Sequence, residues 1–207
     1  MEHQEFKRQL DELRNIIADG IGYFSAWHAI ANLDENSAKA LNRYRGFFKP
    51  VQVSLNNMAL LQFSKIFDPD SRTISLRNLL SAVEENRQLL TPHAEEDDLQ
   101  SIERLIDSNE ELLSHLKGFR DQRLAHHDKV ISSDTSLPFG KVKQLIEDVK
   151  AIYNSLCRGH ERSTTSFDRI SRDAEWHTTE VIRIMCEEGD RAKRRISEAD
   201  RRIERGG

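Results

Sequence analysis

LQSIERLIDSNEELLSHLKGF, Leu99 to Phe119, decides the fold. Its apolar side chains fall at Leu99, Ile102, Leu105, Ile106, Leu112, Leu113, Leu116 and Phe119. Steps of three and four are the period of a helix with one buried face, whereas a half-buried strand would alternate. The spacing predicts one long helix. Thr91-Pro92 reads as its start. Threonine can cap, proline suits the first helical position, and Glu95, Glu96, Asp97 and Asp98 sit where the helix dipole favours negative charge.

The same period recurs on both sides. Phe6, Leu10, Leu13, Ile16 and Ile17 mark a helix expected to end near Asp19-Gly20, and Tyr23, Phe24, Trp27 and Ile30 mark a second. A third runs from Leu41 to Ile66, with Pro50 expected to kink or break it, because proline removes a backbone donor. FDPDSRT, Phe67 to Thr73, is turn chemistry. A short helix follows through Leu76, Leu79 and Val83, and the cleanest pattern of all runs from Val142 to Leu156. Val130–Pro138 and Gly159–Asp168 read as loops, and a last helix begins near Ile170. Strand signals are scarce. The expected fold is all-α, a helical bundle with a long C-terminal helix and no sheet. Residues 1–160 are expected to form the bundle, and 161–207 a polar loop and a helix ending in a basic arm.

The 207 residues suffice for one sizeable core with an appended arm. A net charge of −4 argues against generic nucleic-acid coating. Charge is unevenly spread, however. Asp190 to Gly207 holds seven basic against four acidic residues, while Glu84 to Glu111 holds ten acidic against two basic. A solvated helix face explains this, and so does a basic arm touching RNA or an acidic partner. No apolar run is long enough to cross a bilayer, and MEHQEFKRQLDEL lacks the apolar centre of a signal peptide. Cys157 and Cys186 make no disulfide framework, so a cytoplasmic location is expected. They read as small buried hydrophobes, and Trp27 and Trp176 as core residues. His28, His93 and His115 are scattered, and His177 with Glu180 is a single pair of ligand types. There is no HExxH, paired CxxC, phosphate-binding glycine loop or Gly-x-Ser-x-Gly elbow. Neither metal nor organic cofactor is expected.

One stretch departs from the pattern. FRDQRLAHHDK, Phe119 to Lys129, continues the apolar face of Leu99–Phe119 with Arg120, Arg123 and a histidine. Arg120 and His127 are seven residues apart and nearly in register on a helix. Cations are favoured in a last helical turn, which makes a solvated helix end one reading. The combination also suits phosphate chemistry. An imidazole can move protons near neutrality, and a guanidinium can hold a phosphate oxygen with paired donors. Asp128 can orient an imidazole.

RDQRLAHHD resembles the signature of the HEPN superfamily, an arginine and a polar residue followed after four to six positions by a histidine. It is most similar to the abortive-infection AbiU-type branch, and FDPDSRTISLRNLL, Phe67 to Leu80, resembles that branch as well. The resemblance spans roughly Leu41 to Leu156. It implies a homodimeric all-α bundle, often a metal-independent endoribonuclease, with the motifs of two protomers facing each other. It makes Arg120 the motif arginine, Asp121 the polar residue and His126 the motif histidine, since His126 follows Leu-Ala and precedes His-Asp. Helical register favours His127, and the spacing leaves both open. Arg123 and Asp128 are supporting candidates. The implied reaction is attack by an RNA 2′-hydroxyl, leaving a 2′,3′-cyclic phosphate, in a toxin or anti-phage role, with an antitoxin or regulatory protein as a possible partner. The alternative is a non-catalytic HEPN-type scaffold acting through a protein partner.

Overall fold

The computed structural model describes the backbone of residues 1–121 and 138–206, and their side chains except at 96, 193 and 196–206. Among the described residues the regular structure is helical only. In chain order the helices are α1 (His3–Ala31), α2 (Glu35–Asn42), α3 (Arg45–Ile66), α4 (Leu76–Glu85), α5 (Arg87–Leu90), α6 (Glu96–Ser108), α7 (Glu110–Phe119), α8 (Phe139–Glu161) and α9 (Asp168–Gly206). None of them is long and apolar enough to cross a membrane.

α1 is the axis of the bundle. It packs against α3, α9 and α8, and also touches α4 and α5. Its buried stripe, Phe6, Leu10, Leu13, Ile17, Ile21 and Phe24, follows the helical period without a gap. Gly20 therefore does not end a helix, contrary to the sequence expectation. A Cβ at Gly20 would lie 3.1 Å from Phe63 Cε1 and 3.2 Å from Gln62 Cβ, so the glycine serves the close approach of α3.

Three other expectations change. The segment from Leu41 to Ile66 is two helices, α2 and α3, separated at Arg43–Tyr44; α2 is capped by Asp34, whose carboxylate accepts from Asn36 N at 2.9 Å and Ser37 N at 3.1 Å. Pro50 lies inside α3 without ending it. Thr91 follows α5 rather than opening α6, which starts instead at a capping box formed by Glu95 and Asp98.

The long helix is also divided. α6 and α7 meet at Asn109, whose backbone (φ −101°, ψ 1°) leaves the helical range. Its buried Nδ2 donates to Leu105 O at 2.8 Å and to Asp148 Oδ2 at 2.7 Å, while Gln144 Nε2 donates to Asp148 Oδ1 at 2.9 Å. This polar link ties the break to α8 and sets the direction in which α7 leaves it. α7 then packs against α3.

α9 lies against α1 and α2, joined by the Ser25–Ser171 hydroxyl contact of 2.7 Å and by buried Ile182. Trp176 points the other way and is 62 % exposed, a correction to its reading as a core residue. It is half a turn of the helix from the inward Thr178 and Ile182 face. Cys157 is buried and Cys186 half-buried, both as free thiols.

Candidate active site

α7 delivers Arg120. Leu112, Leu113, Leu116 and Phe119 are buried, which fixes the rotation of the helix and brings Arg120 to the edge of the core. Its backbone stays helical (φ −59°, ψ −51°). The side chain is 25 % exposed and held by two carboxylates. Nη1 donates to Asp68 Oδ2 at 2.6 Å, and Nε donates to Asp121 Oδ1 at 2.9 Å. The bond to Asp121 is the largest cause raising the Arg120 pKa; burial opposes it, and the charge and bond of Asp68 add to it. The guanidinium has five N–H donors, so two anchored bonds fix its plane and leave other donors for an incoming oxygen.

Asp68 comes from the turn between α3 and α4, and the turn is stiff for reasons written in its residues. Asp68 Oδ1 accepts from Asp70 N at 3.0 Å, and Asp70 Oδ1 from Arg72 N at 2.9 Å. Asp70 O receives Thr73 N at 2.9 Å, Thr73 Oγ1 at 2.8 Å and Asn78 Nδ2 at 2.7 Å. Asn78 also donates to Thr73 O at 2.7 Å, and Ser75 caps α4. Each short polar side chain replaces a backbone partner that a helix or sheet would supply. The result is a rigid platform whose unspent carboxylate oxygen points at Arg120. Asp68 is thus a positioning residue.

Between this turn and α7 lies a cleft of about 250 Å³, with Arg120 in its wall. Ser64, Phe67, Asp68, Pro69 and Arg77 line one side, and Glu110, Leu113, Ser114, Leu116 and Lys117 the other. Sequence reasoning singled out Arg120 and Asp121, and the structure joins them by a hydrogen bond. Arg123, His126, His127 and Asp128 lie outside the described residues. Asp68, Arg77 and Lys117 were missed as site residues. The signal for Lys117 was its place three residues before Arg120, on the same helical face. For Asp68 it was the Asp-Pro-Asp turn itself, although nothing local shows that the turn reaches α7. Among the described residues no group of three or more His, Cys, Asp or Glu side chains is placed to hold a metal ion.

A helical bundle that presents an anchored Arg-Asp pair at the end of α7 is the class of architecture that the structure defines. The HEPN AbiU2 family model matches residues 3–179, from the start of α1 into α9, and the chain belongs to this family. No curated protein and no solved structure matches it.

Proposed function

We propose that the chain is a metal-independent endoribonuclease of HEPN type, acting as a homodimer in an abortive-infection or toxin role in the cytoplasm. The observation that carries this reading is Arg120, anchored by Asp68 and Asp121 in the wall of a cleft that also holds Arg77 and Lys117. The reaction is an internal transesterification. The 2′-oxygen attacks phosphorus as its proton passes to an imidazole, that of His126 or His127. The P–O5′ bond breaks, the 5′-oxygen takes up a proton, and a 2′,3′-cyclic phosphate and a 5′-hydroxyl result. The nucleophile belongs to the substrate, so no metal-bound hydroxide is required. Arg120 offsets the charge that grows on the phosphorane oxygens.

A scaffold reading has one observation in its favour. Two carboxylates face one guanidinium, which is also how a structural ion pair looks.

The test is RNA cleavage in EDTA by the wild type and by Arg120→Ala, His126→Ala and His127→Ala. The ribonuclease reading expects a loss of about 100-fold or more for Arg120→Ala and for one histidine variant. Cleavage untouched by all three substitutions, or none by the wild type, would transfer the case to the scaffold.

A further inference from the structure

We propose that the cleft between α7 and the Phe67–Pro69 turn carries a single-stranded RNA backbone past Arg120, with Arg77 and Lys117 as its phosphate-binding side chains. This deepens the ribonuclease reading and takes its substrate class from it.

The argument begins with charge. Arg120 alone is a poor anion site, because Asp68 and Asp121 give the trio a formal charge of −1. A phosphodiester approaching it needs further cations. Lys117 lies one turn before Arg120 on α7, about 4.5 Å along the axis. Arg77, near the start of α4, faces the same cleft from the opposite wall. Both are exposed, and neither is paired with a carboxylate among the described residues. The acid in the α7 wall, Glu110, is ten residues from Arg120, about 15 Å along the axis. That exceeds the Debye length of about 8 Å at physiological salt. Along α7 the acid therefore lies at the end away from Arg120; Lys117 brings the Arg120, Asp68 and Asp121 group to neutral, and Arg77 across the cleft brings it to +1.

Shape narrows the ligand. A volume of about 250 Å³ lies just below the roughly 300–1,000 Å³ of the clefts and cavities that enclose small molecules. Its rim residues Arg77, Ser114 and Lys117 are exposed, so the cleft is open to solvent. It suits one unit of a polymer passing through better than a free metabolite. A single strand fits the chemistry, because the 2′-oxygen, phosphorus and 5′-oxygen must come into line, which stacked A-form geometry prevents. Base identity is not read here. Cationic side chains position a backbone and carry no sequence information.

The experiment is fluorescence anisotropy of the full chain with a labelled 2′-O-methyl RNA, which binds but cannot be cut, titrated over a range of salt. Arg77→Ala and Lys117→Ala are each expected to weaken binding about 3- to 10-fold at low salt. Each should flatten the log K against log salt slope by about 0.7. At about 10 mM salt, where the Debye length of about 30 Å exceeds the separation of Glu110 from Arg120, Glu110→Gln is expected to tighten binding about 2-fold, an effect that a structural role for the two cations would not produce. Thermal midpoints verify that the variants fold. Binding by Arg77→Ala and Lys117→Ala within 2-fold of wild type, with an unchanged salt slope, would overturn the proposal even if Arg120→Ala abolished cleavage. If instead the expected binding pattern is found and no RNA is ever cut, the ribonuclease reading falls and the backbone track stands.

Discussion

Replacing Asp68 by asparagine keeps the side-chain shape and removes its charge. The one remaining oxygen can keep the Asp70 N bond, so the turn keeps its form, but the amide NH2 that then takes the place of Oδ2 is a donor facing the Arg120 Nη1 donor, so the bond to Arg120 is lost. Asp68 and Arg120 are only 17 % and 25 % exposed, so solvent screens the pair little. A hydrogen bond to a charged group contributes about 1.5–3 kcal/mol, and a neutral one about half. Asp68→Asn, which loses the bond to Arg120, should therefore cost about 1.5–3 kcal/mol, and Asp68→Ala, which also loses the Asp70 N bond, about 1 kcal/mol more. For a chain of this size each kcal/mol moves Tm by about 2–4 °C, so the expected drops are about 3–12 °C and 5–16 °C. The consequence for activity is distinct. A guanidinium misplaced by about 1 Å can lose up to 100-fold in rate, so kcat should fall 10- to 100-fold in Asp68→Asn. KM should stay level or fall, because a negative charge beside the substrate has gone. Scanning calorimetry and single-turnover cleavage read the two effects separately. A lowered Tm with wild-type kcat would show that Asp68 only holds the fold, and an unchanged Tm would show that the pair contributes nothing.

Three further outcomes follow from the packing. Asn109→Leu should destabilise by about 2–3 kcal/mol in urea unfolding, since it leaves the half-satisfied Asp148 carboxylate buried; adding Asp148→Leu should recover most of the loss. Gly159→Ala should cost about 1–3 kcal/mol, because its Cβ would lie 2.9 Å from Ala94 Cβ, whereas Gly140→Ala, with open space around it, should be neutral or stabilising. His160 is buried with Nδ1 bonded to Leu90 O at 2.5 Å and Nε2 without a hydrogen-bond partner, Glu161 Oε1 lying 4.0 Å from it, and burial holds its pKa below the usual imidazole value. The unfolded chain then binds the proton more readily than the folded one. Stability should be constant above about pH 6.5 and decline as pH falls below it, and His160→Gln should flatten that decline in thermal melts.

The all-α fold was legible because Leu99–Phe119 and Val142–Leu156 bury one face each, and a helical period leaves no second interpretation. Boundaries were legible only where local chemistry decides them. The FDPDSRT turn is built from its own side chains, so its residues announce it. Gly20 misled because the same residue that ends helices also lets them touch, and the deciding neighbour, Phe63, is 43 positions away in the chain. Asn109 had left a trace, a gap in the apolar stripe between Ile106 and Leu112, yet its partner Asp148 belongs to another helix. The site divides the same way. Arg120 stood out as a cation on an apolar face, whereas Asp68 and Arg77 reach it only through the packing of α3, α4 and α7.

The most direct test of Arg120 as a transesterification residue is the chemistry of the RNA ends made in EDTA. Fragments from the wild type should carry 2′,3′-cyclic phosphate and 5′-hydroxyl ends, and Arg120→Ala should yield neither. Ends bearing a 3′-hydroxyl and a 5′-phosphate, or cyclic phosphate formed as fast by Arg120→Ala as by the wild type, would contradict the account.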